Sequence, residues 1–175
     1  MSSLAVTVVG HDRPGIIAAA AEALAGCGMN LEDSSMTLLR GHFAMTLVCA
    51  GEASVDAVRA ALEPIAASGL DVAVREVFPD PDVPAATATH LVTVYGADRL
   101  GIVARLVGVV SEAGGNVTDL TTRLSGELYV LLAEVAFPTG TALGTDTDAL
   151  RDRLGAVASE LGVEVTLRPV ENDDL

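Results

Sequence analysis

The residues with the most chemistry to offer stand in two short turns, GHDRPGI at positions 10–16 and GADRLGI at positions 96–102. Each sets an Asp-Arg pair between glycines, with apolar segments on both sides. Placed where a strand hands over to a helix, such a turn suits an anion. The first helical turn has unpaired N–H groups and a partial positive charge, a ready site for a carboxylate or phosphate. Gly15 and Gly101 let a ligand approach the backbone. Pro14 is expected in the first helical turn, where its missing N–H costs nothing. Asp12 and Asp98 are free to cap the helix or to face a ligand ammonium. Asn30 and Asn116 follow each turn at the same distance. An Asn side chain carries both a donor and an acceptor, enough to hold the two ends of a zwitterion. Whether these Asn residues share an end of the sheet with the turns is left open by the sequence. Plainer roles stand beside these. Arg13 and Arg99 also read as solvated surface residues, Asn30 and Asn116 as turn formers, His11 as a loop histidine, and His42 and His90 as residues that open strands.

These turns need a scaffold, and the chain supplies it twice. The turns are 86 residues apart (96 − 10), and the same displacement places Val6-Thr7-Val8 on Val92-Thr93-Val94 and Asp12-Arg13 on Asp98-Arg99. It continues without a gap through Gly28 on Gly114, Asn30 on Asn116, Asp33 on Asp119 and Leu38 on Leu124. Matched Asn and Asp residues in one register mark an internal duplication.

Each copy has the same order of elements. LAVTVV and HLVTVY are β-branched runs that read as strands. The helices that follow the turns show one apolar face, Ile16, Ala20, Ala23 and Leu24 in the first and Ile102, Leu106, Val109 and Val110 in the second. Both stop at glycine, Gly28 and Gly114-Gly115, as a C-cap requires. NLEDSSMTLL with HFAMTLVCA, and NVTDLTTRLS with LYVLLAEVAF, read as hairpins joined through RGH and GEL. Second helices carry stripes at Val55, Val58, Leu62 and Ile65, and at Leu150, Leu154, Val157 and Leu161. Ser54 is an expected N-cap, and Thr145 with Asp148 resembles a capping box. A final strand alternates Leu70, Val72, Val74 and Val163, Val165, Leu167. The order is βαββαβ, twice. The fold class is therefore α+β: two ferredoxin-like units, each an antiparallel four-stranded sheet with two helices on one face. The expected boundaries are 1–78 and 90–170, with a Pro/Asp-containing linker at 79–89 and an acidic tail at 171–175.

Composition narrows the partners. The chain of 175 residues has a net charge of −14 and no lysine, all ten basic residues being Arg. This acidity disfavours nucleic acid, which needs clustered cations, and anionic membrane surfaces. The missing lysine removes Schiff-base chemistry and the phosphate-loop lysine. Cys27 and Cys49 form no metal spacing and read as reduced core residues. No apolar run reaches a membrane span, and the N-terminus lacks a signal pattern. A soluble, cytoplasmic protein is expected, with no metal and no cofactor.

The DRPGI turn after a Val-rich strand, with Asn opening the next strand of a βαββαβ unit, resembles the ACT domain. Two such units across nearly the whole chain resemble the tandem-ACT group that includes glycine cleavage system transcriptional repressors. The resemblance implies amino-acid binding at interfaces between paired units, a likeness to regulators without a catalytic domain, a protein partner and a homodimer. It implies contacts from Gly10, His11, Asp12, Arg13, Pro14, Gly15 and Ile16 with Asn30 and Leu31, and from Ala97, Asp98, Arg99, Leu100, Gly101 and Ile102 with Asn116 and Val117. The second copy departs from the pattern: Leu100 stands where Pro14 does, and Ala97 where His11 does.

Other functions on this fold lack their residues. An acylphosphatase-like site needs a phosphate-cradling glycine run, and this turn is acidic at Asp12. A metal chaperone needs paired cysteines in the first loop. RNA recognition needs aromatic residues on the sheet, and the chain has five aromatics among Tyr and Phe. No helix-turn-helix is present to grip DNA. The remaining alternative is a ligand-independent interaction scaffold with an ACT-like fold, associating through its edge strands.

Overall fold

The computed structural model describes residues 2–78, 89–137 and 147–170. The expected linker except Thr89, the acidic tail and the capping box at Thr145 lie outside the described residues. In the first repeat the elements are β1 (Ser2–His11), α1 (Ile16–Gly26), β2 (Asn30–Leu39), β3 (His42–Gly51), α2 (Val55–Ala66) and β4 (Asp71–Val77). The second has β5 (His90–Ala97), α3 (Ile102–Glu112), β6 (Asn116–Ser125), β7 (Leu128–Ala136), α4 (Thr147–Leu161) and β8 (Val163–Pro169). The chain divides into two compact units, Met1–Asp80 and Pro81–Leu175. Each holds one antiparallel sheet, in the orders β2-β3-β1-β4 and β6-β7-β5-β8.

The expected βαββαβ order is the observed one. The displacement of 86 residues holds from β5 to the start of β7 and becomes 92 at the last strand (163 − 71), so six residues are inserted between β7 and β8.

Each unit has its own core. Leu4, Val6 and Val8 of β1 point inward with Phe43, Met45, Leu47 and Cys49 of β3, against Ile16, Ala20 and Leu24 of α1 and Val58, Leu62 and Ile65 of α2. In the second unit Val92, Val94, Leu131, Ala133 and Val135 face Ile102, Leu106, Val109 and Val110 of α3. One helical stripe is corrected. On α4 the buried residues are Leu150, Leu154 and Ala158, while Val157 and Leu161 are only partly buried. The sheet meets this helix along a strict four-residue row, so Ala158 takes the third core position.

Local chemistry sets the boundaries that matter for the site. Both first helices end in a Schellman motif. Gly28 (φ 70°) donates its N–H to Ala25 O at 2.9 Å, and Met29 donates to Leu24 O at 3.0 Å. Gly114 (φ 78°) and Gly115 repeat this to Ser111 and Val110, both at 2.9 Å. Asn30 and Asn116 therefore start their strands two residues after the left-handed glycine. A β-bulge follows in each, with the register slipping between Leu31 and Asp33 and between Val117 and Asp119. Ser54 caps α2 as expected, its Oγ accepting from the Ala57 N–H at 3.2 Å. Cys27 and Cys49 are free thiols. Burial pushes the Cys49 thiol above its ordinary pKa, helped by the Glu32 carboxylate.

Candidate functional site

Each strand-to-helix turn is built around a glycine in the left-handed region, where L side chains are strained. Gly15 (φ 92°) and Gly101 (φ 89°) are themselves the N-caps of α1 and α3, and neither helix has a side-chain cap. Two expectations are thereby corrected. Asp12 and Asp98 do not cap, because the N-cap position falls three residues after them, at Gly15 and Gly101. Pro14 precedes the N-cap instead of occupying the first helical turn. The first turns of α1 and α3 contain no acidic residue. No side chain caps their N–H groups.

Gly10 and Gly96 have a packing role. A Cβ on Gly10 would stand 2.5 Å from Leu70 Cδ2, and one on Gly96 would stand 2.7 Å from Val163 Cγ1 and 3.0 Å from Val163 Cα. The tip of a leucine can rotate away, but a β-branched side chain and a backbone atom cannot. Gly96→Ala should therefore cost about 1–3 kcal/mol through overpacking, and Gly10→Ala less. Urea denaturation of both variants checks this, and an unchanged midpoint for Gly96→Ala would contradict the packing described.

The two turns differ in their surroundings. Arg13 is not merely solvated: its guanidinium donates to Ser68 Oγ, which donates to Ile65 O at 2.5 Å. This ties the first turn to the C-terminal end of α2. The position matching Ser68 in the second unit is Glu160, displaced by 92, and it pairs with Arg105 of α3 instead. Around the second turn an open concavity of about 600 Å³ is lined by Asp98, Arg99, Leu100, Gly101, Ile102, Val103, Ala104 and Tyr129. Leu100 is fully exposed. Tyr129 was not among the expected site residues. Desolvation pushes its hydroxyl pKa up, a hydrogen bond with Thr122 opposes this, and the Asp98 carboxylate adds to the rise. Its counterpart under the repeat is Phe43, which is buried. The Phe-to-Tyr change at matched positions was the available signal, because it adds a polar atom beside the turn.

Asn30 does not join the turn of its own unit. Asn30 lies opposite Ala50, and Ala50 lies opposite Ser3, at the start of β1. The turn follows His11, eight positions further along β1, about 26 Å away at 3.3 Å per residue. Asn116 is placed in the same way, opposite Ala136. Leu31 and Val117 lie with them. Within each unit, turn and Asn therefore mark opposite ends of its own sheet.

What connects the two ends is an open edge. β2 is an outer strand of its sheet, and every residue in it except Thr37 is exposed. Leu31, Met36, Leu38 and Leu39 are 39–49% exposed, and Leu120 and Leu124 on β6 are 41% and 40% exposed. By their strand partners, Leu31, Met36 and Leu38 point to the helix side of the sheet, yet among the described residues no helix covers them fully. The apolar residues of β2 stand toward its two ends, with Glu32, Asp33, Ser34 and Ser35 between them, and the backbone of an outer strand is open to pairing.

A family model of the ACT domain matches the chain twice, at residues 2–75 and 88–168. The chain belongs to the ACT-domain family. It is a tandem ACT protein, the two matches falling on the two βαββαβ units. Among curated proteins, it is 48% identical over 48 residues to a UPF0237 protein of Methanopyrus kandleri, covering 27% of this chain and 53% of that protein. It is 26% identical over 124 residues to the glycine cleavage system transcriptional repressor of Escherichia coli, covering 69% of this chain and 64% of that one. The matches thus span between half and two thirds of these relatives. A solved structure of a protein of unknown function from Galdieria sulphuraria superposes with a TM-score of 0.79 at 30% identity, covering 97% of this chain and 99% of that one. A putative glycine cleavage system transcriptional repressor shares the fold, with a TM-score of 0.68 at 19% identity and 98% of both chains covered. Among the described residues no helix is long and apolar enough to cross a membrane.

Proposed function

We propose that this tandem ACT chain is a regulator without catalytic activity that binds a free amino acid between paired ACT units and passes the bound state to a partner protein. We place the pairing in a cytoplasmic homodimer. Neither nucleic acid nor a membrane is a direct partner, given the net charge of −14.

The observation that supports this reading is the placement of Asn and turn at opposite ends of a sheet whose β2 edge is open. One strand edge laid antiparallel on another of the same kind brings the first end of one unit to the last end of its neighbour. Asn30 of one unit then meets the Gly10–Ile16 turn of the other, and Asn116 and the Ala97–Ile102 turn follow the same rule. The uncapped helix receives the ligand carboxylate. The Asn side chain and the Asp of the turn receive the ammonium. A ligand held this way touches both units, so binding favours the paired arrangement over others.

The test is a thermal-melt screen against the twenty amino acids at millimolar concentration. A ligand at about 100 Kd stabilises by roughly 2.7 kcal/mol, a shift of roughly 5 to 10 °C for a chain of this length. Asn30→Ala should remove the first-site share of the shift. No shift with any amino acid would sink the proposal. The exposed edge also favours the second reading, a ligand-independent scaffold. In that case the chain would still associate, no amino acid would shift the melt, and Asn30→Ala and Asn116→Ala would leave the biological effect intact.

A further inference from the structure

The first unit carries a pair of histidines that the second lacks. His11 ends β1 and His42 opens β3, and the two are directly opposite in register. Their rings have centroids 4.9 Å apart and planes tilted by 56°. In sequence they are 31 positions apart (42 − 11), a spacing with no metal motif in it. The sheet makes them neighbours. From the repeat, the matching positions are Ala97 and Leu128, also paired in register.

The backbone under the pair is well fixed. Arg40 (φ 53°) and Gly41 (φ 84°) form a two-residue turn with both φ values positive, the pattern of a tight type I′ hairpin. Asp12 N–H donates to Gly41 O at 3.1 Å, extending the ladder one step past the histidines. His11 and His42 therefore occupy the adjacent position, the closer, non-hydrogen-bonded kind of cross-strand pair. Both side chains leave the sheet on the face away from the helices, because Leu4, Val6 and Val8 alternate to the core. Both are exposed.

The geometry points to a divalent transition-metal site held by His11 and His42. Imidazole nitrogen binds Zn²⁺ at about 2.0–2.1 Å, which places an ion about 3.2 Å from each ring centroid. Two rings meeting at an ion at about 90–110° then have centroids about 4.5–5.2 Å apart. The observed 4.9 Å falls inside that range. Imidazole selects Zn²⁺, Cu²⁺ or Ni²⁺, whereas Mg²⁺ and Ca²⁺ demand oxygen ligands. Among the described residues no third His, Cys, Asp or Glu completes a cluster. The site is therefore an exchangeable one with open coordination positions, filled by water or by a small chelating ligand, and there is one per chain. It does not depend on the amino-acid reading: His11 also lies in the Gly10–Ile16 turn, but its partner His42 lies outside the proposed amino-acid site.

Untagged full-length protein, in buffer free of amino acids, should be titrated with Cu²⁺ and separately with Zn²⁺ by calorimetry. The expected stoichiometry is one ion per chain, and the Cu²⁺ complex should show two imidazole nitrogens in its electron paramagnetic resonance spectrum. His11→Ala and His42→Gln should each weaken binding by at least about tenfold, since a lost ligand costs no less than a lost outer-shell partner. His90→Ala, on the second unit, should not. Nitrogen counting on the wild type stands even if a variant folds poorly. Equal affinity in wild type and His11→Ala, or a spectrum with fewer than two imidazoles, would overturn the assignment.

Discussion

Phe43→Ala should lower unfolding stability by about 3–5 kcal/mol, the cost of emptying a buried aromatic site. Phe43 is 2% exposed and sits on the inner face of β3, opposite Gly10 on one side and Leu38 on the other. Gly10 has no side chain to fill the space left behind, and Leu38 already reaches solvent. Collapse around the cavity is therefore limited, which puts the effect toward the upper end of the range. Against a total stability of about 5–15 kcal/mol for an ordinary domain, this is a large share. The two cores have no residue in common, so the loss should fall on the first unit. Hydrogen exchange reads this directly. Amides of β1 and β3 should lose protection, while those of β5 and β7 keep it. A loss under about 1 kcal/mol would show that the aromatic ring is not the keystone of this core. Tyr129, its half-buried counterpart, should tolerate the same truncation better.

The sequence carried the fold because each signal was local or repeated. Gly28 and Gly114 announce a helix stop whether or not the rest of the chain is known, and the Schellman bonds appear where those glycines predict them. The apolar rows of α1 and α3 follow from 3.6-residue periodicity alone. The 86-residue displacement then assembled these pieces into two like units. The site was less legible for a physical reason. Asn30 is near the turn in sequence, 15 residues past Gly15. The intervening helix carries the chain back along the sheet, so proximity in sequence becomes the full length of a strand in space. Strand direction decides this, and no residue type encodes it. Asp12 misled in a related way. An acidic residue before a helix suggests a cap, but the left-handed Gly15 delays the helix start and takes that role. The histidine pair was hidden by the opposite effect, since β1–β3 pairing joins residues that no sequence window contains together.

The duplicated units have also diverged where their chemistry is exposed. In the first, Arg13 leans on Ser68 and two histidines flank the turn. In the second, Arg105 and Glu160 replace the Arg13 contact, Ala97 and Leu128 replace the histidines, and Tyr129 adds a hydroxyl beside Asp98. The scaffold residues under both turns stay the same: Gly10 and Gly96 for strand packing, Gly15 and Gly101 for the helix start. Backbone geometry is thus held constant while the side chains around it vary. Under the proposed function, the two turns should therefore differ in ligand preference.

The largest functional effect should come from charging the open edge. Met36→Glu and Leu38→Glu place carboxylates on β2 at positions 47% and 49% exposed, where a charge in the isolated unit stays in water. The fold itself should change by about 0.5 kcal/mol or less, as expected for surface substitutions. A paired edge responds differently. Two antiparallel copies of β2 bring these carboxylates into one apolar seam, where like charges repel and lose solvation. The double variant should therefore run as a monomer in light scattering at concentrations where the proposed wild-type dimer forms. It should also lose the ligand-induced gain of roughly 2.7 kcal/mol, although neither residue lies in a turn or beside an Asn. That joint loss separates a site shared between units from a site contained in one. If the charged edge abolished pairing but left the ligand shift intact, the amino acid would have to bind within a single unit. The span of about 26 Å between turn and Asn would then leave the uncapped helix start, without the Asn, as the whole of the binding site.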